Sequence, residues 1–151
     1  MKKRFNDFRT YALVTGAASG MGRVYAERLA AMGYNLVLVD INESGLEETA
    51  RIVGEQVAAS DDVPAERKSH LKILQVVQDL SLKEAAAGIY ERTEAEGCEV
   101  EVLVNNAGLM YCQGIAETSE KMLDRIMMVH MYTPLMLCRK YVGAMKERRC
   151  G

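Results

Sequence analysis

Between Thr15 and Gly22 the chain reads Thr-Gly-Ala-Ala-Ser-Gly-Met-Gly, placed between an apolar run (Ala12, Leu13, Val14) and an amphipathic stretch. Gly16, Gly20 and Gly22 let the backbone turn tightly and come close to a ligand, while the free N–H groups and positive dipole end of the following helix face an anion. The chemistry this implies is binding of a pyrophosphate, and the ligand a dinucleotide. Ser19 offers a hydroxyl that either bonds the phosphate or fixes the turn. Asp40, 18 residues after Gly22, ends a second apolar run. An acidic side chain there accepts hydrogen bonds from the adenosine ribose hydroxyls and repels a 2′-phosphate, which favours NAD over NADP. Arg23 and Arg28 are cations close to this region, on the opposite side of that balance.

These residues require strands and helices in alternation. Tyr11 to Val14 reads as the first strand, and a helix follows from Met21 to Met32 with Gly33 as its stop. Asn35 to Asp40 is the second strand, and Asn42 is placed to cap a helix carrying Leu46, Ile52 and Val53. Leu74 to Gln78 is the third strand. Ser81 and Glu84 have the spacing of a capping box, which would open an Ala-rich helix ending near Gly97. Val100 to Asn105 is the fourth strand, and Thr118 or Ser119 starts a long helix reaching Glu147. Strands separated by helices imply right-handed crossovers and a doubly wound parallel α/β sheet of Rossmann type, in the order 3-2-1-4. Ligands bind such a sheet at the carboxyl ends of its strands, where the order reverses between the first and fourth.

One stretch is longer than the pattern needs. Asp40 and Asp79 are separated by 38 residues, and 58–70 holds Ser60, Asp61, Asp62 and Pro64, so this part reads as a surface insertion in a single domain spanning 1–151. A loop touching substrate or partner is the alternative.

Glycine spacing and two downstream motifs carry a resemblance. T-G-x-x-x-G-x-G at 15–22, with Asn105-Asn106-Ala107-Gly108 after Val102 to Val104 and Asp79 after Val76 and Val77, resembles the short-chain dehydrogenase/reductase family. The resemblance implies that Asp79 and Leu80 contact the adenine ring, that the Met21 backbone faces the pyrophosphate, and that Asn106, Ala107 and Gly108 line the cofactor crevice while Asn105 braces the sheet. It places a catalytic asparagine of a proton relay 22 residues beyond the last glycine of N-N-A-G, where this chain has His130. An imidazole there either alters the relay or fills the space. The resemblance also implies hydride transfer between a nicotinamide and an alcohol or carbonyl substrate, and packing of the last helix against a second subunit. Met122, Met127, Met131, Met136 and Met145 on that helix fit core or subunit-interface packing.

The family's serine, tyrosine and lysine follow that helix. Tyr11, Tyr25, Tyr34, Tyr90, Tyr111, Tyr132 and Tyr141 all lack a lysine four positions on. The chain therefore reads as the cofactor-binding part of an NAD(P)-dependent oxidoreductase, incomplete after the fourth strand and its helix and inactive by itself; the alternative is a non-catalytic nucleotide-binding or assembly module on the same fold.

Composition narrows the classes further. The 151 residues are 49% apolar with a formal net charge of -2, which argues against nucleic acid or a membrane surface as partner. The basic start Met1 to Arg4 is followed by too short an apolar run for a signal peptide, so a cytoplasmic location is expected. Cys98, Cys112, Cys138 and Cys150 form no C-x-x-C pair, and with two histidines far apart they suggest reduced thiols and no metal site.

Overall fold

A computed structural model describes residues 8–151. Met1 to Arg4, read above for a targeting signal, lies outside the described residues. Four parallel strands, β1 (Thr10–Thr15), β2 (Asn35–Asp40), β3 (Ile73–Val77) and β4 (Glu99–Val104), form one sheet in the order β3-β2-β1-β4. This is the expected 3-2-1-4 order. Every residue of β1 and all but the last of β2 are buried, as central strands covered on both faces must be. The edge strands β3 and β4 are only partly covered.

Alternating side chains feed two cores. Tyr11, Leu13, Val37 and Val39 pack with Ile89, Val129, Leu137 and Tyr141 on one face. Ala12, Val14, Leu36 and Leu38 pack with Leu29, Leu46, Val53 and Val57 on the other. The first face is covered by α4 (Ala85–Ala95) and α6 (Thr133–Arg148), the second by α1 (Gly20–Ala31) and α2 (Glu43–Ala59). Asn42 caps α2 as expected, its side chain accepting from the Gly45 amide at 3.1 Å.

Two local expectations change. Ser81 does not cap a helix: α4 begins at Ala85, and both the Ser81 amide and hydroxyl donate to Asp79 Oδ1, at 2.8 and 2.7 Å. The charged carboxylate two residues away draws the Ser81 hydroxyl and amide into a local turn, and the helix starts later, with Glu84 at its N-cap. The long last helix is not uniform either. Helix α5 (Glu120–Met127), capped by Ser119, passes through a π-helical turn at Met128–Tyr132 before continuing as α6, with Pro134 in its first turn. The methionines on it divide, Met136 and Met145 packing on the core while Met127 and Met131 are exposed. Of the cysteines Cys98 is buried, and Cys112 and Cys138 are exposed.

Within 58–70, Ser60, Asp61 and Asp62 lie at the surface side of a short helix, α3 (Ala65–Ser69). Val63 and Arg67 from the same stretch are buried. The Arg67 guanidinium donates to Asn35 Oδ1 at 2.8 Å, and the same oxygen accepts the Lys72 amide at 3.0 Å, so this segment ties β2 to the approach of β3.

Candidate functional site

The carboxyl ends of β1, β2 and β4 bring Gly16, Ser19, Met21, Asp40, Asn106, Ala107, Gly108 and His130 to one crevice. Register pairs Val14 with Val104 and Thr15 with Val39, so the glycine-rich turn after β1 and the Asn105–Gly108 segment after β4 leave the sheet side by side. Thr15 joins them: its Oγ1 accepts from the amides of Asn106 and Ala107, both at 3.1 Å. The Asn106 side-chain amide completes the joint by donating to Thr15 O at 2.9 Å and Gly16 O at 3.4 Å. Its donors are thus turned onto the first turn. Asn105 is exposed at the end of β4, its Nδ2 3.5 Å from Cys138 Sγ.

The turn itself leaves no room for side chains at two of its glycines. Gly16 has φ +68°, and a Cβ there would lie 2.8 Å from the Ala107 Cα. At Gly22 a Cβ would fall 2.0 Å from the Gly16 carbonyl oxygen, because the first turn of α1 is pressed against the loop that precedes it. Ser19 precedes α1 in extended conformation and makes no side-chain cap bond, so its hydroxyl leaves the first-turn amides of α1 uncapped. Ser19 and the exposed Met21 line it.

The back of the turn is held by Thr49, which sequence reading did not single out, and by Arg23, which it named only as a nearby cation. Thr49 on α2 donates its hydroxyl to Ala17 O at 2.9 Å, and Arg23 donates through Nη2 to Ala18 O at 2.9 Å and through Nε to Thr49 Oγ1 at 3.0 Å. Carbonyls are drawn away from the crevice in this way, which is the polarity an anion requires. A buried threonine on the inner face of α2 was the only local signal of this role.

Asp40 stands at the rim. Its Oδ2 accepts the Ala18 amide and its Oδ1 the Asn42 amide, both at 3.0 Å, so the carboxylate bridges the end of β2 to the glycine-rich turn. Each oxygen retains a lone pair for a further donor. Asp40 also borders a smaller hollow, about 140 Å³, walled by Ile41, Asp79, Leu80, Arg125 and Val129. The hydroxyl and amide of Ser81 hold the Asp79 carboxyl below its usual range, with Arg125 adding a smaller electrostatic pull the same way. Leu80 buries its side chain in the core, and its carbonyl accepts from Thr133 Oγ1 at 2.9 Å, which anchors this wall to α6.

Ala107, Gly108 and Leu109 border both hollows, the larger of which measures about 510 Å³. That is within the range of small-ligand sites. His130 closes its far side from the π-helical turn. Among the described residues no group of three His, Cys, Asp or Glu side chains is placed to hold a metal ion, and no helix is long and apolar enough to cross a membrane.

Comparison with known proteins matches this architecture. The family model of short chain dehydrogenase matches residues 10–151. Short-chain dehydrogenase/reductase family 16C member 6 of Bos taurus is 31% identical over 150 residues, covering 99% of this chain and 44% of that protein. A very-long-chain 3-oxoacyl-CoA reductase-like protein of Arabidopsis thaliana is 33% identical over 151 residues, covering 99% of this chain and again 44% of the relative. A metagenomic short-chain oxidoreductase solved in complex with NADP superposes with a TM-score of 0.79 at 28% identity, covering 94% of this chain and 59% of that structure. L-Sorbose reductase from Gluconobacter frateurii, solved with NADPH and L-sorbose, gives 0.77 at 26% identity, covering 91% and 48%. The chain spans less than half the length of these two curated relatives. With its glycine-rich turn, its 3-2-1-4 sheet and a family match running from the first strand to the last residue, the chain belongs to the short-chain dehydrogenase family.

Proposed function

We propose that this chain forms the dinucleotide-binding part of an NAD(P)-dependent oxidoreductase. The observation that carries the reading is the crevice between the β1 and β4 ends, bordered by the uncapped start of α1, while Thr49 and Arg23 hold the Ala17 and Ala18 carbonyls by hydrogen bonds. A pyrophosphate fits that polarity, and the space kept clear by Gly16 and Gly22 suits close approach of its oxygens. Asp40 takes the adenosine ribose hydroxyls, and Asp79 and Leu80 flank the adenine in the smaller hollow. Ser19, Gly20, Met21 and Gly22 form the phosphate turn, and Asn106, Ala107 and Gly108 the facing wall.

NAD is favoured over NADP. The Asp40 carboxylate would repel a 2′-phosphate, and the Arg23 guanidinium that could offset it is engaged with Thr49 and Ala18. When bound, the nicotinamide would supply hydride exchange with an alcohol or carbonyl carbon. That reaction belongs to a longer protein with the length of the relatives, because none of the seven tyrosines here has a lysine four residues on. Calorimetric titration tests the assignment: NAD and ADP are expected to bind and NADP to bind at least about tenfold more weakly, a difference of ~1.4 kcal/mol. Failure of both NAD and ADP to bind would overturn it.

A further inference from the structure

His130 Nε2 lies 3.1 Å from the Leu109 amide nitrogen and 2.9 Å from the Leu109 carbonyl oxygen. These two contacts make opposite demands on one atom. To receive the Leu109 N–H, Nε2 must be bare and the ring neutral with its proton on Nδ1; to bond the carbonyl, Nε2 must carry a proton. One nitrogen satisfies one of them at a time.

The contact is built into the site. The ring sits directly on Gly108, where a Cβ would come within 2.9 Å of His130 Cε1. It arrives there from a π-helical turn, an arrangement frequent at functional positions. His130 is exposed, so protons reach it from solvent. The segment packed against the ring, 105–110, carries no ionisable side chain, and the glycine-rich turn across the crevice carries none from Gly16 to Gly22. The charged group bordering the same hollow as His130 is Asp40 at the end of β2, while Asp79 after β3 and Arg125 on α5 face the adjoining smaller hollow.

We propose that His130 is a proton-operated latch on the Leu109 peptide, a positioning residue that sets the wall of the crevice in one of two hydrogen-bonded states. With its proton on Nδ1, the neutral ring holds the Leu109 N–H. Protonation withdraws that acceptor and transfers the bond to the Leu109 carbonyl, freeing the amide. An amide side chain at this position would meet both demands together, since it carries a donor and an acceptor on separate atoms. The latch stands on geometry alone; its coupling to ligand rests on the proposed function.

Nitrogen NMR and amide exchange on the 151-residue chain between pH 5 and 8 test it. The Leu109 amide is expected to titrate with the same midpoint as the His130 ring nitrogens, and its protection to fall about fivefold on the acid side, the scale of one hydrogen bond. His130→Asn, or His130→Gln if the first folds poorly, is expected to keep the protection and lose its pH dependence. A Leu109 amide that ignores the His130 titration, or follows pH equally in both the parent and the amide variants, overturns the latch. Saturating NAD is expected to raise the midpoint, because the pyrophosphate charge favours the imidazolium. An unmoved midpoint with NAD bound overturns the coupling to the crevice. NAD that does not bind while Leu109 still titrates overturns the proposed function and leaves the latch standing.

Discussion

The Gly16 carbonyl oxygen occupies the volume that any side chain at Gly22 would need, 2.0 Å from an ideal Cβ. The obstacle is backbone and cannot swing aside. Gly22→Ala is therefore expected to destabilise the fold by about 1–3 kcal/mol and to abolish NAD binding, measured by urea unfolding and calorimetry. Gly20 makes the contrast: it has open space but φ +54°, so Gly20→Ala is expected to cost about 1–2 kcal/mol through backbone conformation alone. Equal and negligible costs at both positions would show that the turn is not packed as described.

Asp40 links ligand preference to local structure. Removing its carboxylate strands the Ala18 and Asn42 amides, so Asp40→Ala should lower stability by about 1–2 kcal/mol. Calorimetry on the same variant is expected to show NAD affinity reduced at least about tenfold and the NAD-over-NADP preference narrowed. An unchanged preference would remove Asp40 from the ribose assignment.

Thr49 provides a test of the support behind the turn. Thr49→Val keeps the shape of the side chain but leaves the Ala17 carbonyl without its donor and Arg23 Nε without its acceptor, at an expected cost of about 1–3 kcal/mol in thermal or chemical unfolding. NAD affinity should fall with it, because a released carbonyl can turn into the anion's path.

Alkaline pH probes the core under α4 and α6. Burial, reinforced by Cys98, pushes the Tyr11 phenol up to about 12, and burial pushes Tyr141 up to about 12 against the opposing bond with Thr93. In the unfolded chain these phenols ionise near about 10. Above that pH the unfolded state binds fewer protons than the native state, so stability present at pH 10 and below is lost as pH rises from there to about 12. Unfolding followed from pH 9 to 12 should show this decline, and Tyr141→Phe should flatten it. A decline identical in parent and variant would assign it to other groups.

Edge strand β4 presents Val102 and Leu103 only partly covered, with its outer backbone groups unpaired by any described strand. Nearby, Met127, Met131, Leu135 and Val142 are exposed along α5 and α6. Concentration-dependent self-association of this chain is expected in analytical ultracentrifugation. A monomer at high concentration would count against an interface on this side.

Much of the site was legible in the chain itself. Glycine spacing at 16, 20 and 22, an aspartate closing each of two apolar runs and N-N-A-G after another are local patterns, and local patterns report which element a residue ends and which face it shares. Together with the family resemblance those patterns carry, that sufficed for the strand order and for the crevice where Ser19, Asp40, Ala107 and Gly108 meet. Tertiary structure decided the rest. Periodicity is blind to contacts such as Thr49 with Ala17, Asn106 with Thr15, and Arg67 with Asn35, which join residues 32 to 91 positions apart through register and packing. It also could not show that Ser81 turns to Asp79 instead of capping a helix, nor that a π-helical turn carries the His130 ring onto the Leu109 peptide. In each case a polar group chose among competing partners, and only the folded arrangement determines which partner is near enough to win.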